Sequence, residues 1–150
     1  MEVIKFYRRK EKYGCFSNFA RYPIELKSQV WPTSEHYYQA QKFSGTEFEE
    51  LIRLVETPKI AAQMGRDPKR PLRPDWEAIK DDIMREAVAA KFAQHSELRE
   101  ILLNTGKAVL VEHTANDRYW GDGGDGRGKN MLGKILMEVR DKLKSQSETK

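Results

Sequence analysis

Glu35, Gln39 and Lys42 stand at i, i+4 and i+7, which lines a carboxylate, an amide and an amine along one stripe of a helix. The other faces of that helix carry Tyr37, Tyr38, Ala40 and Phe43. A carboxylate lodged among rings is an acid or base whose proton affinity is tuned by its surroundings. The alternative is a solvated polar face, the common fate of such a stripe. Further on, Tyr119-Trp120-Gly121-Asp122-Gly123-Gly124-Asp125-Gly126-Arg127-Gly128-Lys129-Asn130 packs five glycines into eight positions. Glycine is favoured where a backbone takes positive φ or passes close to a ligand, so this stretch reads as a ligand-handling loop rather than a plain connector. Trp76 follows a proline-stiffened basic segment, 66–74, whose Arg66, Lys69, Arg70 and Arg73 can grip phosphate or stand as solvated charges. Trp76 and Trp120 are candidates for core packing or for stacking on a base.

Two phosphate-binding patterns match on paper. Gly121-x-Gly123-x-x-Gly126 has dinucleotide-fingerprint spacing, but too little chain follows for a βαβ unit. Gly123-x-x-x-x-Gly128-Lys129 approaches a P-loop, with Asn130 where the magnesium-binding hydroxyl belongs. The underlying physics remains open. Backbone N–H groups at the start of a helix near Met131, beside Arg127 and Lys129, offer a place for an anion. His36, His95 and His113 have no metal-ligand spacing, and Cys15 reads as a small buried residue. No metal site is expected, and without a Gly-x-Ser-x-Gly elbow acyl transfer is disfavoured.

The elements that must position these groups follow from periodicity and punctuation. Val3 to Tyr7, Ile24 to Leu26 and Val109 to Val111 read as short strands. Thr33 is the N-cap of a helix running to Phe43 and stopped at Ser44-Gly45, with Glu35 in its first turn. Phe48, Leu51, Ile52 and Val55 make the apolar face of a second helix. Thr57-Pro58 opens a third that Gly65 ends. Asp75 caps the longest, Trp76 to about Gln94, and Ser96 caps the next, ended by Asn104 and Gly106. The last presents Leu132, Ile135, Leu136, Val139 and Leu143 on one stripe. The expected fold is mainly α (α+β at most), one helical domain over 1–144 with a small β element, and 145–150 a polar, frayed tail.

At 150 residues, 39% hydrophobic and 33% charged, the composition fits a globular protein with a well-solvated surface. No apolar run approaches a membrane span, no signal-peptide core follows Met1, and one cysteine excludes an intramolecular disulfide. A cytoplasmic location is therefore expected. The net charge of +4 suits phosphate-bearing partners without pointing to nucleic acid.

Several motifs stand in order. They are Phe16-Ser17-Asn18-Phe19, Pro32-Thr33-Ser34-Glu35-His36-Tyr37-Tyr38-Gln39-Ala40-Gln41-Lys42-Phe43, Met64-Gly65-Arg66, Arg73-x-x-Trp76, Asp117-x-x-Trp120-Gly121-x-Gly123 and Gly128-Lys129-Asn130-x-Leu132-Gly133. Together they resemble the NADAR family, specifically its YbiA-like N-glycosidases, over nearly the whole chain. The resemblance implies a mainly helical fold and a pocket for a ribosylated base. It also implies hydrolysis of the N-glycosidic bond in ribosylaminopyrimidine phosphates, early intermediates of riboflavin biosynthesis. Other members remove ADP-ribose from guanine in nucleic acid. The family's catalytic pattern carries onto Glu35, Trp76 and Asp117, with Trp120, Gly121 and Gly123 lining the site. Asp122 belongs to the Trp-Gly-Asp-Gly form of the YbiA-like branch, and other branches differ there. Asn18, Gln39, Lys42 and Asn130 join the substrate-binding set, with Arg66, Lys69, Arg73 and Lys129 available to a 5′-phosphate.

Breaking a ribosyl C–N bond passes through an oxocarbenium-like state. Glu35 is expected to stabilise that charge or activate water, Asp117 to hold ribose hydroxyls or share the water, and Trp76 or Trp120 to stack the base. No metal or redox cofactor is required. The partner expected is a small ribosylated base with a 5′-phosphate or an ADP-ribose-type ligand. The competing classes are an ADP-ribosyl-guanine glycohydrolase acting on nucleic acid and a non-catalytic module that holds NAD or ADP-ribose. Paired carboxylates favour an enzyme, because they would repel an anion that was merely being gripped.

Overall fold

The computed structural model describes residues 2–148. Their order is β1 (Val3–Phe6), a 3₁₀ turn (Gly14–Phe16), β2 (Ile24–Leu26), β3 (Gln29–Trp31), α1 (Ser34–Gln41), α2 (Glu47–Arg53), α3 (Pro58–Gly65), α4 (Trp76–Gln94), α5 (Ser96–Asn104), β4 (Val109–Glu112) and α6 (Met131–Glu148). The fold is mainly α, and its short strands form two separate pairs. Packing groups the chain into two units, Arg21–Lys91 and the residues on either side of it.

The helices begin where capping chemistry requires. Thr33, Thr46 and Thr57 each accept a hydrogen bond from an N–H of the first turn, from His36, Phe48 and Ile60 respectively. Each bond satisfies a donor that the helix itself cannot. Two expected caps act differently. α5 starts after His95, which makes no side-chain cap bond, so Ser96 is already helical. The Asp75 carboxylate accepts from Arg73 Nε and Nη2 at 2.7 and 3.1 Å, and only the Asp75 carbonyl engages α4, through Ala78 and Ile79. α1 ends at Gln41 rather than Phe43, because Phe43 N–H bonds to Ala40 O in a tightened last turn and Gly45 then turns the chain at φ 83°.

Within Arg21–Lys91, β2 and β3 form an antiparallel hairpin that pairs Ile24 with Trp31. Sequence reading finds only β2. Lys27 and Ser28 both hold positive φ, 56° and 61°, as a tight primed turn requires, yet neither is the Asn, Asp or Gly that such a turn favours. The hairpin delivers Trp31, fully buried, edge-on to Tyr37 at 5.0 Å, with Nε1 donating to Leu26 O at 2.9 Å. Ala40, Phe43, Ile52, Ala61, Ala87 and Ala90 complete this core, so α1 runs through its centre.

His36 is buried in that core. Its Nε2–H donates to Val55 O at 3.0 Å, while Nδ1 lies 2.8 Å from the Thr33 hydroxyl. Burial pushes its pKa below the ordinary 6.5; the Val55 carbonyl resists, and Arg21 adds to the depression. The unfolded chain therefore binds the proton more readily. This contribution is complete above about pH 6.5 and is lost as pH falls through that value. We expect the unfolding free energy from urea titration to be lower at pH 5.5 than at 7.5, by up to about 1.4 kcal/mol per pH unit, with this component absent from His36→Gln. Equal pH slopes in wild type and variant would refute it.

In the other unit, β1 and β4 pair in parallel with Ile4 opposite Leu110. The apolar stripe of α6, Leu132, Ile135, Leu136, Val139 and Leu143, is buried as expected. Phe16 packs between Phe6 and Phe92, at 5.7 and 5.8 Å. Helix α6 runs on to Glu148, past the end of its apolar stripe. Residues 149 and 150 of the expected tail lie outside the described residues.

Candidate active site

Helix α1 carries the first cluster. Glu35 and Gln39 are only 7% and 5% exposed, so the polar stripe is not a solvated face. Gln39 Nε2 donates to Glu35 Oε2 at 2.7 Å. Lys42 continues the stripe, its Nζ donating to Gly65 O at 3.2 Å and lying 5.7 and 5.9 Å from the ring centres of Tyr38 and Trp76. Those two rings meet at 5.1 Å, and Trp76 is only 4% exposed. Burial pushes the Lys42 amine below the ordinary lysine range; the nearby Glu35 carboxylate resists, and Arg66 and Lys80 add to the depression. Carboxylate, amide, ammonium and two rings are thus held on one helix and the first turn of another.

The basic segment sorts by partner. Arg73 is committed, gripping Asp75 with two nitrogens and donating Nη1 to Gln41 O at 3.3 Å and its backbone N–H to Lys42 O at 3.1 Å. It ties the segment to the end of α1. Arg70 lies over the Phe48 ring at 4.5 Å. Arg66 and Lys69 are exposed. Arg66 is also the nearer of the two to the stripe, since its charge bears on Lys42.

The glycine loop, in the other unit, holds the second cluster. Gly123, Gly124 and Gly126 take φ of 75°, 85° and 81°, which side chains would oppose. Asp117 is half-buried, and its Oδ1 accepts from Tyr119 and Trp120 N–H at 2.9 and 2.8 Å. Trp120 is half-buried with Tyr119 edge-on at 4.9 Å, and Lys129 Nζ lies 5.3 Å from the Tyr119 ring centre. Asp122 is buried. Its Oδ2 pairs with His113 Nδ1 at 2.8 Å, and its Oδ1 accepts from Gly124 and Thr114 N–H at 2.8 and 3.1 Å. Burial pushes this carboxyl up, but the His113 bond and the two backbone bonds outweigh it and hold Asp122 below the ordinary carboxylate range. Gly121 is buried against Thr114 and the Glu112 carbonyl, and Asn18 is buried just after the 3₁₀ turn.

The anion cradle expected at the start of α6 is filled from within. Met131 and Leu132 N–H donate to the Tyr119 and Trp120 carbonyls at 2.9 and 3.0 Å. Asn130, at φ 53°, staples the loop to β4 by accepting from Glu112 N–H at 3.0 Å and donating to Leu110 O at 2.9 Å. A cavity of about 490 Å³ does open at this loop, with Lys5, Lys129 and Lys134 around the glycine backbone and His113 and Asp122 in its wall. Among the described residues no group of three or more His, Cys, Asp or Glu could hold a metal ion, and no helix is long and apolar enough to cross a membrane.

Residues 5–144 match the NADAR domain. The chain belongs to the NADAR family. It is 57% identical over 141 residues to the N-glycosidase YbiA of Escherichia coli K12, spanning 94% of this chain and 88% of YbiA. The NMR structure of YbiA superposes with a TM-score of 0.91 over 97% of this chain and 87% of that one. An N-glycosidase of Nostoc punctiforme is 47% identical, covering 95% of this chain and 94% of its own. A riboflavin biosynthesis protein of Vibrio vulnificus is 42% identical over 97% of this chain and 40% of its own length. This NADAR chain is a glycosyl hydrolase, the class to which relatives of that identity and coverage belong. Its few short strands among six described helices are the NADAR architecture that YbiA also has.

Within the NADAR domain, three features escape sequence reasoning. His113 carries no spacing signal and becomes the partner of Asp122 only through the return of the glycine loop to the end of β4. Asn130 reads as a ligand and is bonded to a strand edge. Gly65 reads as a helix stop, yet a Cβ there would collide with the Gln39 amide, so close approach is what it provides.

Proposed function

We propose that this NADAR chain hydrolyses the ribosyl C–N bond of phosphorylated ribosylaminopyrimidines, giving ribose 5-phosphate and the free aminopyrimidine. The observation that carries this reading is the burial of Glu35, bonded to Gln39 with Lys42 and the Trp76 ring on the same cluster. The name of the Vibrio vulnificus relative supports the riboflavin-pathway substrate.

In the proposed reaction the C1′–N bond breaks, positive charge grows on C1′ and the ring oxygen, and water adds its oxygen to C1′. The departing nitrogen takes up one proton. Glu35 stabilises the cationic carbon and receives a proton of the attacking water, which it returns to solvent as solvent supplies the one taken up by the departing nitrogen. Trp76 supplies a stacking face for the base. Lys42 balances the Glu35 charge, and exposed Arg66 takes the 5′-phosphate, whose binding energy then serves the reacting centre. Lys69 is a weaker phosphate candidate, and Arg73 acts by holding the segment in place. Asp117, Trp120 and the residues around them enter as substrate-holding groups through the family pattern, and Asp117→Asn tests that part independently. A single cysteine fits a cytoplasmic enzyme.

The test is direct. Purified protein is incubated separately with a ribosylaminopyrimidine 5′-phosphate, ADP-ribosylated guanine and NAD, and released base is followed chromatographically. We expect turnover of the first. Release only from ADP-ribosylguanine would replace the metabolic reading with a repair one. Tight retention of NAD or ADP-ribose with no product from any would make the chain a binding module.

A further inference from the structure

Gln39 uses one half of its amide and leaves the other half with nothing. Nε2 donates to Glu35 Oε2 at 2.7 Å, while Oε1 is buried and has no hydrogen-bond partner among the described residues. Native interiors rarely carry such an atom. Turning the amide over would set its carbonyl against the Glu35 carboxylate, so Glu35 dictates the orientation and the unpartnered Oε1 is the consequence. The space for that amide comes from α3. Its last residue, Gly65, lies so close that any Cβ would overlap Oε1 and Cδ of Gln39. The Gly65 carbonyl in turn receives Lys42 Nζ at 3.2 Å, one turn along the same stripe. A glycine that neither holds positive φ nor lies on an open turn leaves room here for the Gln39 amide in its observed position.

We infer that Gln39 and Gly65 act together as positioning residues for Glu35, the amide fixing one carboxylate oxygen and the missing Cβ leaving room for the amide. The inference rests on the assignment of Glu35 proposed above. The bond makes the two oxygens of Glu35 inequivalent and favours the charged carboxylate. Charged groups near this stripe include Lys42 just after α1, Arg66 after α3 and Lys80 on α4. None is altered by the variants below.

The experiment measures kcat, KM and the pH dependence of kcat for Gln39→Leu, Gly65→Ala and the double variant, with a ribosylaminopyrimidine 5′-phosphate as substrate. Each single change is expected to lower kcat by about 10–100-fold, as a misplaced reacting group does, with KM little changed. The acidic limb of the profile should move to higher pH, because the carboxylate loses a donor. The double variant should be no slower than the worse single, since both changes remove one interaction. A folded Gly65→Ala with wild-type kcat and acidic limb would overturn the inference, as would multiplicative losses in the double. If Gly65→Ala does not fold, Gln39→Leu decides alone by whether its acidic limb moves. Glu35→Gln is run alongside. Should that variant keep wild-type turnover, the Glu35 assignment fails. A carbon-13 NMR titration of the Glu35 carboxyl in ligand-free protein then still judges the positioning. An upward shift of its midpoint in both variants supports it, and an unmoved midpoint sinks it.

Discussion

Glu35→Gln is expected to lower kcat by about 10²–10⁴-fold, the range a positioned general base or acid contributes. Charge stabilisation at C1′ could add to that loss, because Gln keeps the shape of Glu and offers only a dipole where the cation forms. The fold should tolerate the change. Residue 35 sits beside Gln39, whose Nε2 can donate to an amide carbonyl as it does to the carboxylate, so the bond at 2.7 Å has a neutral counterpart. Far-UV circular dichroism and the melting temperature should stay near wild type while released base falls. Because the proposed function assigns the hold on the substrate to Trp76 and Arg66, KM should change far less than kcat. A folded variant that retains turnover within about threefold would fall outside the range for such catalysis and remove Glu35 from the chemistry.

The second large effect falls on stability. Asp122→Ala deletes a buried carboxylate that accepts from His113 Nδ1 and from the N–H groups of Gly124 and Thr114. Thr114 is itself buried, so its N–H would be left without an acceptor. One orphaned buried donor costs about 1–3 kcal/mol, and bonds to a charged group are worth about 1.5–3 kcal/mol each. Partial rescue by water at the exposed Gly124 brings the expected loss to about 2–4 kcal/mol. The pH dependence carries a matching signature. The folded carboxyl lies below its unfolded value of 3.8, so its contribution is present above that pH and is lost as pH falls through it towards the folded pKa. Wild type should therefore lose stability through that window more steeply than Asp122→Ala. Urea unfolding at pH 7 and pH 3.5 measures both parts. An unchanged midpoint at pH 7 would show that the glycine loop closes without this carboxylate.

Both changes concern residues whose roles are divided between chain order and packing. Local rules work where the physics is local. Thr33, Thr46 and Thr57 each bond within the first turn of their own helix, and the i, i+4 spacing alone brings Gln39 to Glu35. The buried stripe of α6 is equally legible, because five apolar residues at helical spacing have only one face to present. The hairpin at Lys27-Ser28 is not, since two residues that do not favour left-handed φ take it because Ile24 and Trp31 are drawn into one core.

The candidate site divides along the same line. Residue order alone determined which helix bears Glu35, where the glycines cluster and which family motifs the chain carries, all of which depend on neighbours a few positions away. Tertiary packing decided that the Glu35 stripe is buried rather than solvated and that the α6 amides serve the loop instead of an anion. It also decided that Gly65 lies against the Gln39 amide, that Arg73 is tied to the end of α1 through the Gln41 carbonyl and that His113 belongs to Asp122. The reason is that solvent exposure and long-range hydrogen bonds are properties of what is folded against a residue, and that partner can be 26 positions away, as Gly65 is from Gln39.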